Sequence, residues 1–328
     1  MKKKRFKRYY RKARRPFEWF LIWLGQIIIP LLSRGEVTRL ARCVADIAYA
    51  FDKRGKAVSR ANLRLMFGKR MTPVRERAII RRAYRNMARV MANIFWMARD
   101  THARIKDLVT FVPGVLDTFH SNLPVIAVSA HFGNWEILSQ AGVANGIPMM
   151  SVAKMIGSPE MTARLTRLRS TIGQQIVPAD GSLRLIMQAI KKGVSVGLLI
   201  DQQTHIGEGG AWIKFFGVPA GMSLTPAALS RKLNVPIVFA LSFPLKDGRY
   251  CIDVVEFFLP EPQVDDAIRT QQLADAFERV IRRHPSLWCL NYRRWRYILP
   301  GDDPARYPFY ARPERRSKVK ERVSRTRA

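Results

Sequence analysis

Cysteine is scarce in this chain, and what there is follows no pattern. Cys43, Cys251 and Cys289 are the only three in 328 residues. They are odd in number, scattered and without metal-ligand spacing, so neither a disulfide framework nor a cysteine zinc site is readable, and free thiols in a reducing compartment are expected. Histidine is nearly as sparse: the five are isolated, with no H-E-x-x-H or Cys/His pairing, so no metal ligand set and no metal or organic cofactor is expected. G-x-S-x-G is absent, which disfavours a Ser-His-Asp hydrolase. No internal repeat or long linker appears, and the length suits one large α/β domain with appended termini. Acidic residues are also few, 25 against 57 Lys and Arg, leaving a formal charge of +32. Such a balance implies an acidic partner: nucleic acid, anionic lipid or an acidic protein.

The positive charge is concentrated at the ends. Residues 1–16 form a basic tail, with ten Lys or Arg and no acid in the first fifteen. Residues 17–32, FEWFLIWLGQIIIPLL, are apolar nearly all round. As a helix they rise about 24 Å, short of the roughly 30 Å hydrocarbon core, and Pro30 interrupts the end. Shallow or re-entrant insertion is favoured over a full span, with Trp19 and Trp23 near the headgroups and the tail against anionic phosphates. A cleaved signal peptide is disfavoured because LSRGE lacks small residues at the right spacing. Residues 33–300 then form the main domain, and 301–328 a basic C-terminal tail.

Within that domain, Glu36 to Phe51 carries Val37, Leu40, Ala41, Val44, Ile47, Ala48 and Phe51 at helical spacing. A second helix is expected from Thr72, an N-cap with Pro73 at N1, to about Trp96, with Arg75, Arg82, Arg85 and Arg89 off its apolar face. From residue 124 the pattern alternates strand and helix, with strands near 124–130, 148–152, 194–200, 235–241 and 250–257. This order predicts an α/β sandwich around a mostly parallel mixed sheet, with an antiparallel pair late in the chain.

The first of those strands ends in the most informative stretch, PVIAVSAHFGNWEIL. An apolar run delivers His131 onto a turn at Gly133, Asn134 is read as the N-cap of a helix starting at Trp135, and Glu136 falls in its first turn. On one continuous helix His131 and Glu136 would lie about 140° apart, so a dyad requires the turn. A histidine oriented by a carboxylate can take the proton from a hydroxyl attacking an acyl group. A capped turn whose histidine merely satisfies a backbone carbonyl is the structural alternative.

HFGNWE resembles the H-x4-D/E motif of glycerolipid acyltransferases, and in this wording is most similar to the lipid A late acyltransferases, the lauroyl and myristoyl transferases within the lysophospholipid acyltransferase superfamily. RANLRLMFG from Arg60, Asp201-Gln202 with Phe215-Phe216-Gly217, and HPSLWCLNYRRWR from His284 resemble further blocks of that family in its order. The resemblance implies a glycerol-3-phosphate acyltransferase-like fold with an N-terminal membrane-associated helix, at the cytoplasmic face of the inner membrane. It implies transfer from acyl carrier protein to a hydroxyl of a phosphorylated glycolipid, a lipid A precursor, with His131 as base and Glu136 steadying it. Where the family carries an aromatic-Arg-Pro triplet this chain has Val152, Ala153 and Lys154, so Lys154 keeps the charge and loses the fork. Arg169 with Gly173 is similar to the family's R-x-x-x-G and is assigned to phosphate or acyl-donor contact. Asp201 and Gln202, at the end of another strand, are given a supporting role behind the histidine loop rather than direct catalysis.

Two alternatives stand beside this reading. One is acylation of another lysolipid or glycolipid, with a very long chain or a coenzyme A donor. The other is a nucleic-acid-binding protein working through its basic ends; no RNA-binding signature accompanies them, so an anionic membrane surface is the expected partner and nucleic acid is not. Phe215 and Phe216 are read as core by default, and GEGG at 207–210 is not a phosphate cradle.

Overall fold

The computed structural model describes residues 23–154 and 159–314. The basic tail expected at 1–16, the first part of the apolar stretch and the C-terminal residues from 315 lie outside the described residues. Residues 23–28 are helical and run into a 3-10 turn at Ile29–Leu31, where Pro30 sits. No described helix is long and apolar enough to cross a membrane. The turn is tied to the body: Trp96 Nε1 donates to Leu32 O at 3.0 Å and Arg104 Nη2 to Pro30 O at 2.8 Å.

Helix α1 (Arg34–Phe51) opens on a capping box in which Ser33 and Glu36 satisfy each other's backbone N–H. Its inward face is small, with Val37, Ala41 and Ala45 buried. The larger members of the same apolar stripe, Leu40, Val44, Ile47 and Phe51, are exposed, Phe51 to 80%. The periodicity thus located the helix, but its stripe is wider than the core uses. Helix α2 (Lys53–Phe67) follows, then α3 (Pro73–Trp96), where Thr72 Oγ1 accepts from Arg75 N as expected of an N-cap. Part of the basic side of α3 is structural: Arg81 and Arg85 both fork onto Asp46 of α1 at 2.7 to 3.0 Å. The hydrogen bonds from Arg85 and then Arg81 hold the Asp46 carboxyl well below the ordinary range.

Helices α4 (Thr101–Leu108) and α5 (Val115–Ser121) flank strand β1 (Val109–Phe111). The remaining strands of the main sheet are β2 (Ile126–Ser129), β3 (Met149–Ala153), β4 (Gln175–Pro178), β5 (Ser195–Leu199), β8 (Ile237–Pro244) and β9 (Tyr250–Phe258), in the order β1-β9-β8-β2-β5-β3-β4. β8, β2, β5, β3 and β4 are mutually parallel; β9 runs antiparallel to β8, and β1 parallel to β9. The mixed, mostly parallel sheet is as expected. Strand β1, of three residues, β4, of four with both ends exposed, and the separate antiparallel hairpin β6 (Gly210–Phe215) and β7 (Val218–Ser223) were not anticipated.

Helices cover both faces. On one side α2, part of α3, α8 (Ser182–Lys191), α9 (Thr225–Leu233) and α10 (Asp266–Arg283) pack on Ile126, Val128, Ile237 and Phe239. On the other, α1, the end of α3, α4, α5 and α6 (Glu136–Ala144) pack on Val125, Val238 and Ala240. The alternation along β2 and β8 is the period-2 signature of a strand buried on both faces. Helix α7 (Pro159–Arg169) lies at the edge and has no fully buried residue.

The packed structure continues beyond residue 300, since Tyr307 and Tyr310 are buried. The anchor is Asn62 of α2, itself fully buried: its Nδ2 donates to Leu290 O and Tyr292 O, both at 2.8 Å, and its Oδ1 accepts from Tyr310 Oη. Asn62→Ala leaves two carbonyls and a hydroxyl in the interior without partners, and is expected to lower unfolding free energy by roughly 3 kcal/mol. Urea denaturation with an unchanged midpoint would contradict this account of the residue.

Candidate active site

Neighbouring strands β2 and β5 run parallel with Ser129 opposite Leu199, so their carboxyl ends deliver His131 and Asp201 side by side. Ligands in open α/β sheets collect at such ends. Asp201 is 2% exposed and every oxygen is used. Its Oδ2 accepts from His131 N at 3.0 Å and from Trp288 Nε1 at 2.9 Å, and its Oδ1 faces His131 Nδ1 at 2.8 Å. With Nδ1–H donated to this carboxylate, Nε2 carries the lone pair; Gln202 Nε2 lies 3.4 Å from it.

The hydrogen bond expected between His131 and Glu136 is therefore not made. Glu136 does open α6, but its carboxylate faces away, onto the Arg169 guanidinium at 2.6 and 2.7 Å and Trp135 Nε1 at 3.0 Å. A bidentate guanidinium fork is a stronger partner for a partly buried carboxylate than an imidazole edge. The Trp135 ring packs on His131, centroids 5.0 Å apart. Asn134 does not cap the helix either: α6 has no side-chain cap, and Asn134 is buried with its N–H on Ser242 Oγ at 2.7 Å. The turn itself does depend on Gly133. Its φ is +57°, and a Cβ there would lie 1.7 Å from Ser242 O.

The electrostatics favour a charged pair in one direction. Burial works to lower the pKa of His131, but the charge and hydrogen bond of Asp201, helped by the charge of Glu136, outweigh it and the net shift is upward from 6.5. Burial likewise works to raise the Asp201 carboxyl, and the His131 charge with the hydrogen bonds from His131 and Trp288 brings it below its usual value. The segment that carries Trp288 is strapped to the histidine loop: Cys289 N donates to His131 O at 3.0 Å and Gly133 N to Leu287 O at 2.9 Å, with Asn86 Nδ2 on Gly133 O at 2.9 Å. Sequence reasoning gave Trp288 and Asn86 no site role. The HPSLWC block was the available signal for Trp288; nothing local marked Asn86.

His131 opens onto a cavity of about 530 Å³. The exposed Lys154 marks its mouth, His131, Glu136, Arg169 and Gln202 also line it, and the rest of the wall is mostly apolar, with Met91, Phe95, Phe119, Ala127 and Met149 beside Ser129, Ser139, Ser151 and Gln174. Lys154 is exposed and in no ion pair among the described residues, whereas the fork of Arg169 is committed to Glu136. The expected site residues thus gather here in two groups, His131, Asp201 and Gln202 on the strand ends, Glu136 and Arg169 across the mouth with Lys154; Asn134 alone lies behind, in the packing. Phe215 does not reach the cavity. It is core, stacked with Phe277 and Trp295.

Residues 3–297 match the family model of the bacterial lipid A biosynthesis acyltransferases. Two curated proteins called phosphatidylinositol mannoside acyltransferase, from Mycobacterium tuberculosis strains CDC 1551 / Oshkosh and ATCC 25618 / H37Rv, are each 23% identical over 215 residues, covering 63% of this chain and 67% of theirs. With the match running nearly end to end and a carboxylate-backed histidine at the mouth of an apolar cavity, the chain belongs to the bacterial lipid A biosynthesis acyltransferase family and is an O-acyltransferase.

Proposed function

We propose that the chain moves a fatty acyl group from acyl carrier protein to a hydroxyl of a lipid A precursor in lipopolysaccharide biosynthesis, at the cytoplasmic face of the inner membrane. The observation that carries this reading is the placement of His131 Nε2, backed by Asp201, where a polar mouth meets an apolar cavity. The acyl chain lies in the cavity with its thioester carbonyl at the mouth. His131 Nε2 takes the proton of the acceptor hydroxyl as its oxygen bonds to the carbonyl carbon; Asp201 stabilises the imidazolium. Collapse of the tetrahedral intermediate breaks the carbon–sulfur bond, and the proton passes from His131 to the departing thiolate. Lys154 is the cation at the mouth left to face the developing oxyanion or a donor phosphate. Glu136 is a positioning residue that holds Arg169 and Trp135.

The exposed apolar side chains of residues 27–31 and α1 support a seat on the bilayer, and the charge of +32 suits an acidic carrier and a phosphorylated acceptor. The name of the mycobacterial relatives favours, as a second reading, another glycolipid acceptor, with coenzyme A among the donors. Mass spectrometry of a phosphorylated tetraacyl precursor, incubated with carrier-protein thioesters, separates these. One added acyl mass, lost by about three orders of magnitude in rate in His131→Ala, supports the first; addition only to other glycolipids or only from coenzyme A thioesters favours the second.

The raised pKa of His131 has a sign. The base is competent only when neutral, so the acid limb of kcat/KM should lie above 6.5. Asp201→Asn removes the charge that raises it and leaves burial, so the limb should move below 6.5 while the plateau falls about 10²- to 10⁴-fold. A limb that stays in place would mean another group sets the profile.

Ala127 lines the cavity two residues before Ser129 on β2. Ala127→Leu fills that space and is expected to shift donor preference toward shorter chains, by about fourfold in kcat/KM for each methylene denied burial at about 0.8 kcal/mol. Competition between thioesters of different length measures it, and an unchanged ranking would place the chain elsewhere.

A further inference from the structure

Two spaces outside the acyl cavity adjoin each other, and one of them shares wall residues with that cavity. A groove of about 740 Å³ runs between α1, α3 and the segment 287–291; Met91, Phe95 and Trp135 line both it and the acyl cavity. Its floor is made of small residues, Ala41, Ala45 and Ala83, and its rim includes Leu40 and Val44, which also belong to the exposed apolar side of α1. At the other end, Asp52 and Asn291 line both this groove and a cleft of about 340 Å³ walled by Arg54, Arg293 and Arg296. Positive charge is in excess there, three arginines against one carboxylate. Asp52 is the one acid in that wall, and its oxygens are taken by Gly55 N at 2.7 Å and Tyr84 Oη at 2.8 Å. None of the three arginines is in an ion pair among the described residues. The close packing of Asp52 and Tyr84 needs Gly55, where a Cβ would fall 2.1 Å from Asp52 Oδ2.

We infer that this groove and cleft form the acceptor site: an aliphatic chain of the acceptor lipid lies along α1 and α3, and a headgroup phosphate sits on Arg54, Arg293 and Arg296. The inference deepens the acyl-transfer reading and rests on it for the identity of the acceptor. An apolar trough ending in unpaired guanidinium groups has the polarity of one phosphorylated amphiphile. The trough opens on the apolar side of α1, from which a membrane lipid would enter, and passes Trp135 and Trp288 beside His131. The donor's chain then occupies the separate cavity under α6, so the two substrates meet at His131 Nε2 from opposite sides of Trp135.

The test uses the full chain in detergent, with a phosphorylated tetraacyl lipid A precursor and its phosphatase-treated counterpart as probes. Equilibrium binding of each and the KM for acceptor and for thioester are measured. In an Arg54→Ala/Arg293→Ala/Arg296→Ala protein of unchanged melting temperature, binding of the phosphorylated probe should weaken at least tenfold and its KM rise in step. Binding of the dephosphorylated probe and the donor KM should not move, and the corresponding triple lysine variant should recover most of the loss. Ala48→Trp, which fills the trough, should weaken both probes. Unchanged binding in the triple variant, equal loss for both probes, failure of the native protein to bind the phosphorylated probe, or a rise in donor KM instead would each overturn the assignment; the last would give the arginines to the carrier or its phosphate. Arginine-dependent binding without turnover would reject the acyl-transfer reading and leave the phosphate site standing.

Discussion

The site depends on one buried carboxylate. A charge at the position of Asp201, alone in the interior, would cost several kcal/mol. It persists because three donors converge on it, the backbone and ring of His131 and the indole of Trp288. The donors come from two other parts of the chain, both far from Asp201 in sequence. Satisfying Asp201 therefore fixes the end of β5, the loop after β2 and the segment after α10 relative to one another. The same contact sets the tautomer of His131, so the geometry that stabilises the fold there is also what leaves Nε2 free to accept a proton.

The loop around His131 is held from the far side by backbone pairing, with side chains added to it. Phe132 pairs with Trp288 as an isolated antiparallel bridge, and His131 O and Gly133 N bond to the strap at 287–289. Asn62 holds the chain just beyond that strap, at Leu290 O and Tyr292 O, and Asn86 Nδ2 reaches both the loop at Gly133 O and the strap at Leu287 O. A histidine on an unsupported turn would sample many orientations; here α2, α3 and the C-terminal segment restrict it to one. Preorganisation of this kind lets a general base work without reorganising at the moment of proton transfer.

How far this was legible in the sequence follows the range of the interactions. Helices α1 and α3 left apolar periods over several turns and five of the sheet strands left short apolar runs, whereas α2 and α10, of similar length, were not anticipated; Thr72-Pro73 marked the start of α3 through a local cap. His131 was legible because it stands between an apolar run and a glycine. Its partner was not, since Glu136 is five residues away and Asp201 seventy. Sequence proximity favoured the first, and strand order, which places β5 beside β2, decided for the second. Its place at a strand end had put Asp201 behind the histidine loop, but Glu136, nearer in sequence, was given the ring. Asn134 was misread for the opposite reason: an asparagine before a helix is a good cap in isolation, but tertiary packing buried it and left the cap unused.

The division of apolar side chains on α1 is where fold and chemistry meet. A soluble helix of this periodicity would turn Leu40, Val44 and Ile47 inward, yet the core takes Val37, Ala41 and Ala45 and leaves the larger ones out. Small residues at the contact let α1 and α3 lie against each other, Val37 and Ala41 packing with Ala92 and Trp96, and leave a trough alongside that larger side chains would fill, while Asp46 with Arg81 and Arg85 adds an ion-paired attachment. On the proposed reading, in which the trough takes an aliphatic chain of the acceptor, the arrangement trades packing for space: a fully packed α1 would bury more apolar surface and leave no place for that chain.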